Sequence, residues 1–408
     1  MADNVILLSG GRTTQPLAKP LAKMARIAVL DRTALSAFIS QLDEVLCPEN
    51  GIGPELQSRA TNDAARFSAQ VTGMLPMIAP RFSIDGVAPP VLKERLGNWL
   101  PGLTLTIFSI LTRDLHVLDA FCKSVNVRVA VVHEDVTPRF RALAMFARTQ
   151  GIPTVHIPHA NHFIQARPDI HDKCLCDWIL AASPWMRKWY VERGYPKEQV
   201  KVIGCPNWDK WQKINATISK DYARTVLHLA QDVPVVLYCT SWPQTTNLVD
   251  DHTVKDRADA AMLEAAKREG WQLMWSLHPG DPAEWQKRYA EMAKEAGVPA
   301  VIVKGHLPYT MKAADAVLAV GPSNVIVEAA MAGVPAVTIP LRGYGFPSEP
   351  PWKADPTEDG IIDAVNYVLG AGDAWEVRRL NFVRRFAHSA DGNASARAAE
   401  AIREIAGL

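Results

Sequence analysis

The stretch GPSNVIVEAAMAGVPAVTIP, residues 321–340, decides how the rest of the chain is read. It runs from a loop of small, turn-forming residues into an apolar helical segment, then through Gly-Val-Pro into a second apolar run. Another such run, ADAVLAV (314–320), lies just before it. Strand, turn, helix, turn, strand is a βαβ unit, and such units build parallel sheets covered by helices. One residue breaks the apolar helix. Glu328 lies four positions after Asn324, hence one turn in and on the same face. A charge there is costly unless it is partnered, solvated or facing a ligand.

The same alternation extends along the chain. NVILLSG (4–10), RIAVLD (26–31), VRVAVVHED (127–135), IPTVHIPH (152–159), DWILAAS (177–183) and VKVIGCP (200–206) each end in turn or polar residues and lead into helix-like segments. After a polar stretch containing Trp and Lys (208–231), the pattern restarts with VPVVLYCTS (233–241), WQLMWSLHPG (271–280), PAVIVKG (299–305), ADAVLAVGPS (314–323) and PAVTIPL (335–341). The predicted fold is α/β: two doubly wound, Rossmann-like domains facing a central cleft. The expected division is 1–212 for the first domain, 213–232 for a linker, 233–390 for the second domain and 391–408 for a closing helix. That amphipathic helix, ASARAAEAIREIAGL from 394, either caps its own domain or crosses back to the first.

At 408 residues the chain exceeds one ordinary core. With 48% hydrophobic and 21% charged residues it reads as globular, without extended disorder. The net charge of +1 covers a modest asymmetry: residues 1–215 hold 25 Lys and Arg against 19 Asp and Glu. An excess of six, without a dense Lys/Arg stripe, permits but does not favour nucleic-acid binding. The six cysteines form neither a disulfide framework nor a paired C-x-x-C zinc pattern, which suits a reducing compartment. The first residues, MADNVILLSGG, have an acid where a signal peptide has a basic region. WLPGLTLTIFSIL (99–111) is short for a bilayer and broken by Pro and Gly. A cytoplasmic location is therefore expected, with peripheral membrane contact left open.

In open parallel sheets ligands bind beyond the carboxyl ends of the strands. In the second domain those ends carry Thr240 and Ser241, His278, and Gly321, Pro322, Ser323 and Asn324. Hydroxyls, an imidazole and the N–H groups of a helix capped by Ser323 or Asn324 are suited to phosphate. Glu328, too deep for phosphate, is suited to accept hydrogen bonds from the hydroxyls of a ribose. Its structural alternatives are an ion pair with Lys304 or Arg342, or stabilisation of the helix N-terminus. In the first domain, Gly10 and Gly11 followed by Arg12 allow a ligand close to the backbone, although a simple turn explains them equally. SWPQTTNLVDDHTV (241–254) reads as a solvated loop near the cleft and not as a metal site.

The run from ADAVLAV through GPSN, VIVEAAMAGVP and AVTIP resembles the nucleotide-sugar-binding segment of GT-B-fold glycosyltransferases. SLHPG is similar to the His-Pro motif of bacterial capsule and surface-polysaccharide transferases, including CDP-glycerol glycerophosphotransferase and sialyl- and Kdo-transferase relatives. DGNASARAAEAI (391–402) looks like the ends of those chains. The resemblance covers about residues 230–402 of this sequence. It implies that His278, Ser323 and Asn324 hold donor phosphates and that Glu328 holds a ribose. VVHEDVTPRFRALAMFARTQGIPTVHIPHAN resembles the acceptor half of those enzymes, with Ala160 in place of their glycine after His159.

The resulting expectation is a glycosyltransferase, metal-independent and without a cofactor. It would take a sugar from a UDP-, CMP- or CDP-linked co-substrate to a glycan, lipid-linked or other hydroxyl acceptor, in surface polysaccharide or glycan synthesis. Glu134, Asp135 and His159 are the candidates for the base that takes the acceptor proton. Asp135 alternatively caps the helix that starts near Thr137 and Pro138. Two other functions compete: a UDP-N-acetylglucosamine 2-epimerase-like isomerase, which needs no acceptor, and transfer to a DNA base as in viral GT-B enzymes.

Overall fold

A computed structural model describes residues 4–11, 13–74, 77, 89–133, 137–158, 161, 174–240, 249–278, 281–321, 323–341 and 352–408. Its strands form two parallel sheets of six. The first sheet contains β1 (Asn4–Leu8), β2 (Arg26–Val29), β3 (Asn126–Val132), β4 (Thr154–His156), β5 (Trp178–Ala181) and β6 (Val200–Val202), in the spatial order β2-β1-β3-β4-β5-β6. The second contains β7 (Val235–Cys239), β8 (Gln272–Leu277), β9 (Ala300–Lys304), β10 (Ala316–Val320), β11 (Ala336–Ile339) and β12 (Trp352–Lys353), in the order β12-β11-β10-β7-β8-β9. Every apolar run read as a strand is one, and the two-sheet α/β class is as expected. β12 is an addition too short to have a period of its own.

Each order contains a reversal. In the first sheet the chain moves outward from β1 to β2 and then returns to the other side of β1 with β3. In the second it moves from β7 through β8 to β9 and returns beside β7 with β10. Helices diverge to opposite faces at such a point and leave a crevice beyond the strand ends. The central strands are buried along their length because both faces are covered: β7 and β10 have no exposed residue.

Helices of seven residues or more are numbered in chain order: α1 (Pro54–Gly73), α2 (Pro89–Ser124), α3 (Pro138–Thr149), α4 (Pro184–Glu192), α5 (Lys210–Thr217), α6 (Lys220–Val226), α7 (Val249–Glu269), α8 (Trp285–Ala296), α9 (Leu307–Ala313), α10 (Asn324–Ala332), α11 (Glu358–Leu369), α12 (Gly372–Phe386) and α13 (Ala394–Ala406). α1 and α2 pair between β2 and β3, joined by Ser68 Oγ and Thr104 Oγ1 at 2.8 Å and by Thr112 Oγ1 donating to the Ala60 carbonyl at 2.9 Å. The stretch 99–111 lies inside α2 and carries Pro101 within the helix. Among the described residues no helix is long and apolar enough to cross a membrane.

The contacts divide the chain into two compact units: residues 1–159, 170–180 and 398–408 in one, and 160–169 and 181–397 in the other. The second unit thus takes in residues 181–212, which the sequence reading grouped with the first domain. Within it, Asp209 accepts from the N–H groups of Ala394 (2.8 Å) and Ser395 (2.7 Å), satisfying the first turn of α13. Within the first unit, the Arg128 guanidinium donates twice to the Ala406 carbonyl at the end of the same helix.

Candidate functional site

The candidate site of the second unit lies at the carboxyl ends of β7, β8 and β10, which are contiguous in the sheet. After β10, Gly321 adopts φ +75° and would bring a Cβ to 2.8 Å from Leu341 Cδ1. Only glycine fits both the angle and the space. Its N–H donates to the Ile339 carbonyl at 2.7 Å and its carbonyl accepts from Thr338 Oγ1 at 3.0 Å, so the turn is fixed from the neighbouring strand. Ser323 then caps α10, its Oγ accepting from the Val325 N–H at 3.3 Å. Among the described residues its hydroxyl proton has no acceptor and is left to donate. Gly333, at φ +79°, ends the helix in the left-handed conformation.

Asn324 is committed elsewhere. Its Oδ1 accepts from the Asn161 backbone N–H at 3.1 Å and its Nδ2 donates to the Asn161 carbonyl at 3.2 Å. Asn161 is itself buried, its Nδ2 donating to the Phe386 carbonyl at 2.6 Å and its Oδ1 accepting from Ser183 Oγ at 2.5 Å. Three segments of the second unit, around Ser183, Asn324 and Phe386, thus converge on Asn161. No sequence signal marked Asn161, because its partners lie 22 to 225 residues away.

Thr240 is committed as well. Its buried hydroxyl donates to Asp281 Oδ2 at 2.7 Å and accepts from the His278 N–H at 2.9 Å. The same carboxylate oxygen accepts from the His278 N–H at 2.8 Å, while Lys304 Nζ donates to the Asp281 carbonyl at 2.6 Å. Asp281 therefore locks the loop that presents His278. Its other oxygen, Oδ1, is buried and has no hydrogen-bond partner among the described residues. His278 is half-buried and directly follows β8.

Glu328 is half-buried on α10; of its two expected ion pairs, that with Lys304 does not form among the described residues, and that with Arg342 lies outside them. Instead Trp211 Nε1 donates to its Oε2 at 2.9 Å. Burial is the strongest influence and raises the Glu328 pKa; Lys210 and the indole groups of Trp211 and Trp208 pull it back in part. The thiols of Cys205 and Cys239 are each pushed up to about 12 by burial, with the Glu328 charge adding to the effect. They are not nucleophiles. Trp208 and Trp211 are buried, and both orient this carboxylate.

In the first unit the carboxyl ends of the paired strands β1 and β3 lie side by side. Ser9 Oγ is 2.8 Å from His133 Nδ1 and accepts from the His133 N–H at 3.1 Å. Gly10 (φ +95°) and Gly11 (φ +93°) follow, and a Cβ on Gly11 would come within 2.6 Å of His133 Nε2. The Gly pair therefore makes room for the imidazole, beyond any turn it forms. Thr13 Oγ1, buried in the same loop, has no partner among the described residues.

Arg12, Glu134, Asp135, His159, Ser241, Pro322 and Arg342 lie outside the described residues. The helix after Asp135 is α3, which begins at Pro138 with Thr137 as a cap whose side chain makes no capping bond. Residues 249–254, read as loop, form the first turns of α7. Among the described residues no group of three or more His, Cys, Asp or Glu could hold a metal ion. A cavity of about 450 Å³ lined by Lys23, Arg26, Gln41 and Leu46 lies where β2 begins, at the edge opposite the carboxyl ends of the strands.

No family profile matches the chain, and no curated protein is similar to it in sequence. Solved structures share its fold. UDP-GlcNAc 2-epimerase from Neisseria meningitidis, bound to UDP-GlcNAc, is 17% identical with a TM-score of 0.59, over 98% of this chain and 100% of that one. S. aureus MnaA, solved with UDP, is 14% identical with a TM-score of 0.60, over 100% and 97%. The wall teichoic acid polymerase TagF is 12% identical with a TM-score of 0.53, over 99% and 89%. At such identities the likeness is one of fold. The chain has the two-domain Rossmann-like fold of GT-B-type epimerases and glycosyltransferases.

Proposed function

We propose that the protein is a glycosyltransferase that moves a sugar from a nucleotide-activated donor to a hydroxyl acceptor. The observation that carries this reading is the strand-end arrangement at β7, β8 and β10. The Ser323-capped N-terminus of α10 and His278 lie there at the ends of β10 and β8, the two strands that flank β7, with an oriented carboxylate, Glu328, one turn along the helix. The helix N-terminus and the Ser323 hydroxyl would receive the donor phosphates, with His278 beside them. Glu328, its position set by Trp211, would accept from two ribose hydroxyls. Thr240 and Asn324 would act indirectly, by shaping the loops.

In transfer, the acceptor oxygen attacks the anomeric carbon while a base in the first unit takes its proton; the bond from that carbon to the phosphate oxygen breaks and the nucleotide leaves. Negative charge grows on the departing phosphate. Donors already aimed at it stabilise that charge without reorganisation, which suits a metal-independent reaction. Glu134, Asp135 and His159 remain the proposed bases, with Gly10, Gly11 and Arg12 near the acceptor.

A second reading is an isomerase acting on UDP-N-acetylglucosamine. It is favoured by the full-length fold likeness to 2-epimerases on both chains. The deciding experiment incubates the protein with UDP-N-acetylglucosamine alone and then with a panel of UDP, CMP, CDP, GDP and dTDP sugars plus hydroxyl acceptors. Acceptor-dependent release of nucleotide supports transfer; a C2 epimer formed without acceptor replaces it with isomerisation. Thermal shift identifies the base in parallel, since a ligand at a hundred times its Kd adds about 2.7 kcal/mol. Glu328→Ala and His278→Ala should each abolish the shift.

A further inference from the structure

We infer that the outer face of α12, together with the end of α11, is a docking surface for an anionic phospholipid membrane. α12 buries Trp375, Phe382, Val383 and Phe386 on one side. Its opposite side does not turn uniformly polar, as a solvated helix face would. Val377 is 63% exposed and Leu380 42%, and one turn of helix further on stands Arg384. Arg378 and Arg385, seven residues apart, run along the flank of this line. On α11, Tyr367 (52%) and Leu369 (36%) are exposed as well.

These two groups belong to one surface. Trp352 links them, with its ring 5.3 Å from that of Tyr367 and Arg378 Cζ 5.5 Å from its centroid. Among the described residues Arg378, Arg384 and Arg385 form no ion pair. The acid on α12 nearest to them, Glu376, is taken by Arg379, whose Nε donates to it at 2.7 Å. Asp363, one turn before Tyr367, is the nearest acid on α11.

The occupant follows from this combination. Exposed aliphatic side chains among arginines, with a Trp and a Tyr beside them, match a headgroup region: apolar groups enter the acyl boundary, guanidinium groups meet phosphates, and aromatic rings sit between. A nucleic acid would meet the arginines but gain nothing from Val377 and Leu380. A second copy of the chain in a twofold contact centred on α12 would set the arginines against themselves. The assay needs no nucleotide, so this inference stands or falls apart from the proposed reaction.

The test is co-sedimentation of the full chain with phosphatidylcholine vesicles, with and without phosphatidylglycerol. The wild type should pellet with the anionic vesicles, and less so as salt is raised. Arg378→Gln/Arg384→Gln/Arg385→Gln should weaken this about a hundredfold. Val377→Ser/Leu380→Ser should weaken it about tenfold at unchanged charge. Both variants change exposed positions and should keep the wild-type melting temperature. Wild type remaining in the supernatant, or either variant pelleting like wild type, overturns the inference. So does light scattering that shows a dimer which the same substitutions dissociate.

Discussion

Trp211 holds Glu328 by an indole-to-carboxylate hydrogen bond of 2.9 Å, in surroundings that raise the pKa of the acid. Desolvation favours the protonated form, so the folded chain binds this proton more tightly than the unfolded chain. Stability is therefore lost as pH rises from the ordinary glutamate value through the raised folded one, and the loss persists above it. Glu328→Gln keeps an oxygen for the indole without the charge. It should melt higher than wild type near neutral pH, and the difference should shrink as pH falls towards about 4. A melting-temperature series against pH measures this; a pH-independent difference refutes it.

Asn324 and Asn161 make the second testable pair. Removing the Asn324 amide leaves the Asn161 N–H and carbonyl without their partners, at about 1–3 kcal/mol for each group left buried. Asn324→Ala should lower stability accordingly. Asn324→Asp should recover part of the loss, because the carboxylate still accepts from the N–H but faces the carbonyl with no proton to give. Equal melting temperatures for wild type and Asn324→Asp would show that the second bond contributes nothing.

The contrast between these residues shows what local sequence carries. Strand runs such as AVLAV and VVLYC were legible because full burial demands unbroken apolar residues and the following turns demand Gly, Ser or Pro. The α1–α2 pair was not, since α1 buries only Ala60, Ala64 and Ser68, a face with no large apolar period, and α2 carries Pro101 and two glycines that read as breaks. At the site, Ser323 could be assigned as a cap because capping is local. The commitments of Thr240 and Asn324 are set by partners 36 to 41 and 163 residues away, which no spacing rule reveals.

Asp281 should act on His278 without touching a ligand. It fixes the His278 N–H and the Thr240 hydroxyl with one oxygen. Asp281→Ala frees the Thr240 hydroxyl and leaves the His278 N–H held by Thr240 Oγ1 alone, so the imidazole is less firmly positioned while its chemistry is unchanged. Nucleotide affinity, measured by calorimetry, should fall about ten- to a hundredfold, with His278→Ala/Asp281→Ala no weaker than His278→Ala alone. Additive losses would mean that Asp281 contributes independently of the histidine.

The buried cluster behind β7 and β8 offers the largest expected change in stability. Lys255 Nζ donates to Asp259 Oδ2 at 2.5 Å and to the Tyr289 hydroxyl at 2.6 Å, and the Tyr238 hydroxyl donates to Asp259 Oδ1 at 2.7 Å. Burial raises the Asp259 pKa, and Lys255 is the foremost influence holding it down. Lys255→Met removes that counter-charge and should cost about 3–5 kcal/mol. Lys255→Met/Asp259→Leu removes both charges and should regain most of the loss, because what is expensive is the unpaired carboxylate and not the missing pair. Urea unfolding of the two single variants and the double closes the cycle; a double variant as unstable as the sum of the singles would show that the pair itself supplies the stability.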